Sequence, residues 1–113
     1  MVDYKNTVIY KISNYNICFI GSTTTTEKSR EKSHKKDCNN ENGNKYNYYM
    51  YKCIRENGGW DNWTFEVIEK YPCNNRREMN DREMYQCILL NRPSIKMCMI
   101  HLQDVPHVVL HRY

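Results

Sequence analysis

Two runs of β-branched and aromatic residues stand four residues apart near the start of the chain, and they commit it to a β-hairpin. Thr7-Val8-Ile9-Tyr10-Lys11-Ile12 places Val8, Tyr10 and Ile12 on one face of a strand. Ile17-Cys18-Phe19-Ile20 is a second, shorter run, closed by Gly21. Between them Ser13-Asn14-Tyr15-Asn16 is a turn-former.

Beyond the hairpin the chain turns helical. Thr24 with Glu27 three residues later reads as a capping box opening a helix through about Asp37, one with almost no apolar stripe. Cys38 to Lys45, rich in Asn and Gly, reads as a loop. Tyr46, Tyr49, Met50, Cys53 and Ile54 then recur at i, i+3, i+4, i+7 and i+8, predicting a second helix that Asn57-Gly58-Gly59 ends. Trp63 to Tyr71 alternates as a strand, with Phe65 and Val67 on one face and Pro72 as its stop. Asn74 or Asn75 caps a last helix through about Leu90, broken by Asn91-Arg92-Pro93, and the tail after Ser94 shows no clear period. The order β-β-α-α-β-α is that of an α/β (α+β) fold, a small three-stranded sheet flanked by helices. At 113 residues the chain allows one domain, placed at 1–98, with a tail over 99–113.

Composition removes several classes. No apolar run approaches the roughly 20 residues that cross a bilayer, so no membrane role is expected. The opening Met-Val-Asp-Tyr-Lys-Asn has an acid at position 3 and no apolar stretch, unlike a signal peptide. Seventeen Lys and Arg against 13 Asp and Glu give a net charge of +4. The pI near 8.7 permits a polyanionic partner without demanding one. Six cysteines, Cys18, Cys38, Cys53, Cys73, Cys87 and Cys98, are scattered with no CxxC, and several sit in apolar runs. They read as small buried hydrophobes of an intracellular, reducing compartment, neither a disulfide framework nor a zinc site.

Four residues carry possible chemistry. On the last helix Met79, Glu83, Cys87 and Leu90 form one stripe, so Glu83 interrupts an apolar face. A carboxylate there needs a partner, whether solvent, a Lys or Arg, or a metal. Arg30 and His34, at i and i+4, project together from the polar helix. Read alone, with Lys28, Lys32, Lys35 and Lys36 around them, they belong to a solvated face. Tyr10 in mid-strand reads alone as core with its hydroxyl at the rim. His101, His107 and His111 in the tail read as surface residues.

Taken in order, these residues resemble the GIY-YIG nuclease superfamily, in particular its small free-standing, homing-endonuclease-like members in phages and large DNA viruses. The match runs from about Tyr4 to Cys98. It is carried by Val8-Ile9-Tyr10, by Phe19-Ile20-Gly21-Ser22-Thr23, by Arg30 with His34-Lys35, and by Ile54-Arg55-Glu56-Asn57-Gly58-Gly59-Trp60. Ile68-Glu69-Lys70-Tyr71-Pro72-Cys73 and Arg82-Glu83-x-Tyr85 complete it. The resemblance implies an antiparallel sheet and metal-dependent hydrolysis of a DNA phosphodiester. Glu83 would hold Mg²⁺ or Mn²⁺, and Arg30 the scissile phosphate. Tyr10 would deprotonate or orient the attacking water. His34 would bond a tyrosine or the phosphate, and Lys28, Lys32, Lys35, Lys36 and Lys45 would contact DNA phosphates.

Three positions depart from the family pattern. Val8 replaces a glycine, which a strand tolerates. Phe19 replaces a tyrosine and so removes a hydroxyl from the site. Lys96 lies nearest to where an asparagine is expected. Loss of a general base costs about 10²–10⁴ in rate, so a slow enzyme, or a catalytically lapsed DNA-binding module, is the alternative reading. An interaction protein unrelated to DNA is a third. Because 113 residues leave no room for a separate recognition domain, a homodimer or a partner protein is expected to help supply specificity.

Overall fold

The fold is described from a computed structural model, over residues 2–91 and 107–110, and the hairpin forms the middle of its sheet. β1 (Val8–Ser13) and β2 (Ile17–Thr23) pair antiparallel, Tyr10 opposite Gly21 and Ile12 opposite Phe19. Asn14 makes the turn, its side-chain oxygen accepting from the amides of Asn16 and Ile17 at 2.9 and 2.8 Å. β3 (Thr64–Lys70) joins the other side of β1, also antiparallel. With helices α1 (Glu27–Asn39), α2 (Tyr49–Glu56) and α3 (Arg76–Leu90), this is the expected three-stranded antiparallel sheet in the order β-β-α-α-β-α.

The sheet also gains a strand that periodicity does not announce. β4 (His107–Leu110) runs parallel to β2, giving the order β3-β1-β2-β4. Val108-Val109-Leu110 suits a strand but is too short to show a period, and it covers the edge that β2 would otherwise leave open. Part of the expected tail thus belongs to the sheet. The expected domain boundary at 98/99, Lys96, Cys98, His101 and His111 lie outside the described residues.

Both faces of the sheet are covered. Tyr10, Ile12 and Phe19 pack with Cys38 of α1 and with Met50, Tyr51, Cys53 and Ile54 of α2. Ile9, Cys18 and Ile20 pack on the other face with Cys87 and Leu90 of α3. The β1–β3 register slips by one residue, Ile9 facing Glu69 while Tyr10 faces Val67. The slip sends Ile68 and Glu69 both toward α3, where Ile68 joins the apolar cluster and Glu69 finds a cation.

Three helix boundaries differ from expectation or refine it. α1 is capped by Thr26, whose hydroxyl accepts from the Ser29 amide at 3.2 Å. The expected Thr24–Glu27 box does not form: β2 runs on to Thr23, whose hydroxyl turns the chain through Thr25. α2 starts at Tyr49 rather than Tyr46, because Tyr46 lies outside the helix under the Arg55 guanidinium, 3.6 Å from its ring centroid. At the end of α2, Gly58 and Gly59 have φ of 104° and 81°, as the expected glycine stop requires. On α3 the cap is Asn75, with Glu78 reaching back to the Asn74 amide. Cys18, Cys38, Cys53 and Cys73 are buried free thiols, and Cys87 is a half-buried one. Among the described residues no helix is long and apolar enough to cross a membrane.

Candidate active site

Tyr10 leaves the centre of β1 and turns its ring over Gly21 on the neighbouring strand. A methyl group at Gly21 would lie 2.6 Å from both Cζ and Oη of Tyr10. The glycine is therefore required by the close passage of the phenol, and its φ is not in the left-handed region. Phe65 stacks on the ring from β3 at 4.7 Å. Thus placed, the hydroxyl enters a buried chain of polar groups.

Tyr10 Oη is 2.7 Å from His34 Nε2, and His34 Nδ1 is 2.7 Å from Tyr51 Oη. Arg30 Nε–H donates to Tyr10 Oη at 3.3 Å. Tyr10, His34 and Tyr51 are each at most 1 % exposed, so the two bonds to His34 are made out of water, while Arg30 is half-buried. The i, i+4 spacing on α1 brings Arg30 and His34 to one tyrosine, and they do not share a solvated face. Burial pushes the Tyr10 phenol above the ordinary tyrosine range, Arg30 pulls it down by charge and hydrogen bond, and the Glu83 charge adds to the rise.

Glu83 approaches from the opposite layer. Ser22 comes directly after Gly21 and so points to the α3 side of β2, where its hydroxyl donates to Glu83 Oε2. The carboxylate is 5 % exposed, as its place in the apolar stripe predicts. Arg82 beside it has another task. It forks onto Glu69 through Nε and Nη2 at 2.7 and 2.6 Å, with Gln86 donating to the same carboxylate at 2.8 Å. This clip fastens α3 to β3 and fixes the rotation at which Glu83 meets Ser22. The Arg-Glu pair of the sequence thus divides into a fastener and a presented carboxylate.

Phe19 belongs to the same sheet face as Tyr10, two residues before Gly21, but its ring packs on Trp63 and Tyr49 at 6.0 and 6.3 Å. It is part of the aromatic core. Of the lysines, Lys28, Lys32, Lys35 and Lys36 are exposed and Lys45 is half-buried. Lys28, Lys32 and Lys35, one stripe at i, i+4 and i+7, line a groove of about 430 Å³ facing Trp60, with Glu31 and Asp61 also on its walls. The Trp60 ring stacks 6.4 Å from His34, so this groove adjoins the polar chain.

Tyr51 and Ser22 are the polar members that sequence reading did not assign a role. Ser22 sits inside the segment Phe19-Ile20-Gly21-Ser22-Thr23, and its alternation to the other sheet face was available from the strand period. Tyr51 was hidden because its neighbour Tyr49 fits the helical stripe better by spacing, yet Tyr49 is 72 % exposed. Compared with known proteins, the chain matches no protein-family model, no curated protein and no solved structure.

Proposed function

We propose that this chain is a divalent-metal-dependent endonuclease of the GIY-YIG type, which hydrolyses DNA phosphodiester bonds. The observation that carries the reading is the buried Tyr10–His34 pair with the half-buried Arg30 donating to it, which Gly21 makes room for on the strand whose next residue holds Glu83. Each buried polar group there is matched by another, as burial requires, and the run of hydrogen bonds ends on the guanidinium of Arg30.

Each residue then has a task its chemistry suits. Arg30 binds the scissile phosphate and offsets the charge that accumulates as water attacks. Tyr10 orients the water and takes its proton. A phenol raised above its ordinary range is a poor source of free phenolate, so Tyr10 works as a relay, passing its own hydrogen to His34 Nε2 as it accepts the proton from water. Lys28, Lys32 and Lys35 hold backbone phosphates along the groove beside His34, with Lys36 and Lys45 as outer contacts.

The donor chemistry fits a metal. Glu83 offers hard carboxylate oxygens on a rigid helix with the Ser22 hydroxyl fixing its rotamer, and Mg²⁺ binds through one or two carboxylates while keeping most of its waters. Among the described residues no three His, Cys, Asp or Glu side chains form a cage; in this reading Glu83 alone would hold the ion. When bound, Mg²⁺ or Mn²⁺ supplies positive charge at the phosphate.

The test is plasmid nicking with Mg²⁺ or Mn²⁺, for the parent and Glu83→Gln. The parent should nick, and the variant should lose nicking while keeping its melting temperature and its gel shift in EDTA. Nicking by Glu83→Gln at close to the parental rate removes Glu83 as the metal ligand. One observation favours the second reading, a lapsed DNA-binding module: the motif tyrosine is replaced by Phe19, whose ring packs in the aromatic core. A gel shift without nicking, over several metals and substrates, is its signature.

A further inference from the structure

We propose that Tyr51 is a positioning residue, whose hydroxyl receives the Nδ1–H of His34 and thereby keeps Nε2 as the acceptor for the hydrogen of Tyr10. The kinetic part of this inference rests on the nuclease reading, and the spectroscopic part does not.

The bonds have a consistent direction. Arginine has no acceptor, so at Arg30 Nε the Tyr10 oxygen accepts. A phenol oxygen that accepts from a cation becomes a stronger donor, and at 2.7 Å its hydrogen has His34 Nε2 in reach. A neutral imidazole that accepts at Nε2 carries its hydrogen on Nδ1. There, 2.7 Å away, stands Tyr51 Oη. The same acceptor is needed once Nε2 has taken the Tyr10 hydrogen, because an imidazolium donates at both nitrogens. Tyr51 bonds the ring on the side away from Tyr10. Its ring is held edge-on to His34 at 5.8 Å and stacked on Tyr48 at 6.2 Å, so the hydroxyl has a fixed address. It touches no reacting atom and works through His34.

The first measurement is the ¹⁵N spectrum of the imidazole nitrogens in the full chain, with His34 identified by its loss in His34→Gln. The parent is expected to show a protonated Nδ1 and a bare Nε2. In Tyr51→Phe, which removes one oxygen and keeps both ring contacts, the Nε2–H form should appear. Single-turnover cleavage should fall roughly 10- to 100-fold, the range for groups that orient an imidazole from behind. In the His34→Gln background the same change should cost no further rate. A parent with hydrogen on Nε2 overturns the proposal, even where Tyr51→Phe fails to fold. So does a Tyr51→Phe spectrum identical to the parent's, or an equal rate loss in both backgrounds. If the parent does not cut DNA at all, the nuclease reading falls, and the nitrogen spectra still decide the role of Tyr51.

Discussion

Gly21→Ala is the smallest change that separates a motif glycine from a merely tolerated one. The added methyl would lie 2.6 Å from Cζ and Oη of Tyr10 and 2.9 Å from its Cε1. Carbon atoms in contact prefer about 3.5–4.0 Å, so the ring must retreat by about 1 Å. It cannot do so freely, since Phe65 stacks on it at 4.7 Å and His34 holds its hydroxyl at 2.7 Å. Overpacking of this kind costs about 1–3 kcal/mol. Pulling Oη from His34 and Arg30 adds about 1–3 kcal/mol for buried groups left unmatched. Replacing glycine in a strand returns roughly 0.5–1 kcal/mol, because Gly21 is not left-handed. The net expectation is a loss of about 1–5 kcal/mol, with cleavage falling alongside.

Urea denaturation monitored by circular dichroism reads the loss, and a double-mutant cycle assigns it. In the background of Tyr10→Leu, whose side chain stops before the three clashing atoms, Gly21→Ala should cost under about 0.5 kcal/mol. The reasoning is refuted if Gly21→Ala is as stable as the parent. It is refuted equally if the penalty is the same with and without the Tyr10 ring.

Arg30→Lys should cut single-turnover cleavage far more than DNA affinity, because an ammonium cannot reproduce the guanidinium fork and the contact strengthens in the transition state; equal losses make Arg30 a binding residue only. Phe19→Tyr puts a hydroxyl into the cluster of Trp63 and Tyr49, so it should lower stability by roughly 1–3 kcal/mol without raising the cleavage rate, and a faster, equally stable variant would show that the position is a vacated catalytic one. Glu69→Gln should cost about 1–2 kcal/mol near neutral pH, since the carboxylate and Arg82 are 23 % and 29 % exposed and joined by a two-pronged hydrogen bond. Hydrogen bonds from Arg82 hold the Glu69 carboxyl below its ordinary range. Its contribution is therefore full above the unfolded glutamate value of about 4.3 and fades as pH falls through the lower folded value, so the parent and Glu69→Gln should converge in melting temperature in acid.

The legible parts of this fold are those governed by local chemistry. The hairpin, the glycine stop after α2, the Asn75 cap and the α3 stripe through Met79 and Glu83 each depend on residues a few positions apart, and each forms. Elements decided by distant partners were less visible. β4 has four residues and exists by virtue of the β2 edge, which sequence spacing does not display. His34 reads as solvated because its neighbours on α1 are lysines, yet it is fully buried between hydroxyls from β1 and α2. Tyr51 lost its place in the stripe to Tyr49 for a related reason: hydrophobic periodicity weighs ring area and is blind to where a hydroxyl finds its partner.

The polarity of α1 and the burial of His34 explain each other. Only His34 and Cys38 of this helix are buried, too little apolar surface to dock its 13 residues against a sheet. What docks it is polar. Tyr10 and Tyr51 grip the imidazole from two different elements, and at the C-terminal end Arg55 of α2 donates to the Cys38 carbonyl at 2.7 Å. Such bonds stabilise only when complete, because a buried group stripped of its partner costs more than the bond contributed. The helix that carries Arg30 is thus held in place by the residues proposed to move the proton. Removing His34 would leave the buried hydroxyls of Tyr10 and Tyr51 without the bonds it makes to them and loosen Arg30 in the same stroke. A loss of cleavage in a His34 variant reports on docking as well as chemistry; Tyr51→Phe removes one of the two grips and keeps the imidazole's contact with Tyr10, so its rate is read beside its melting temperature and its nitrogen spectrum.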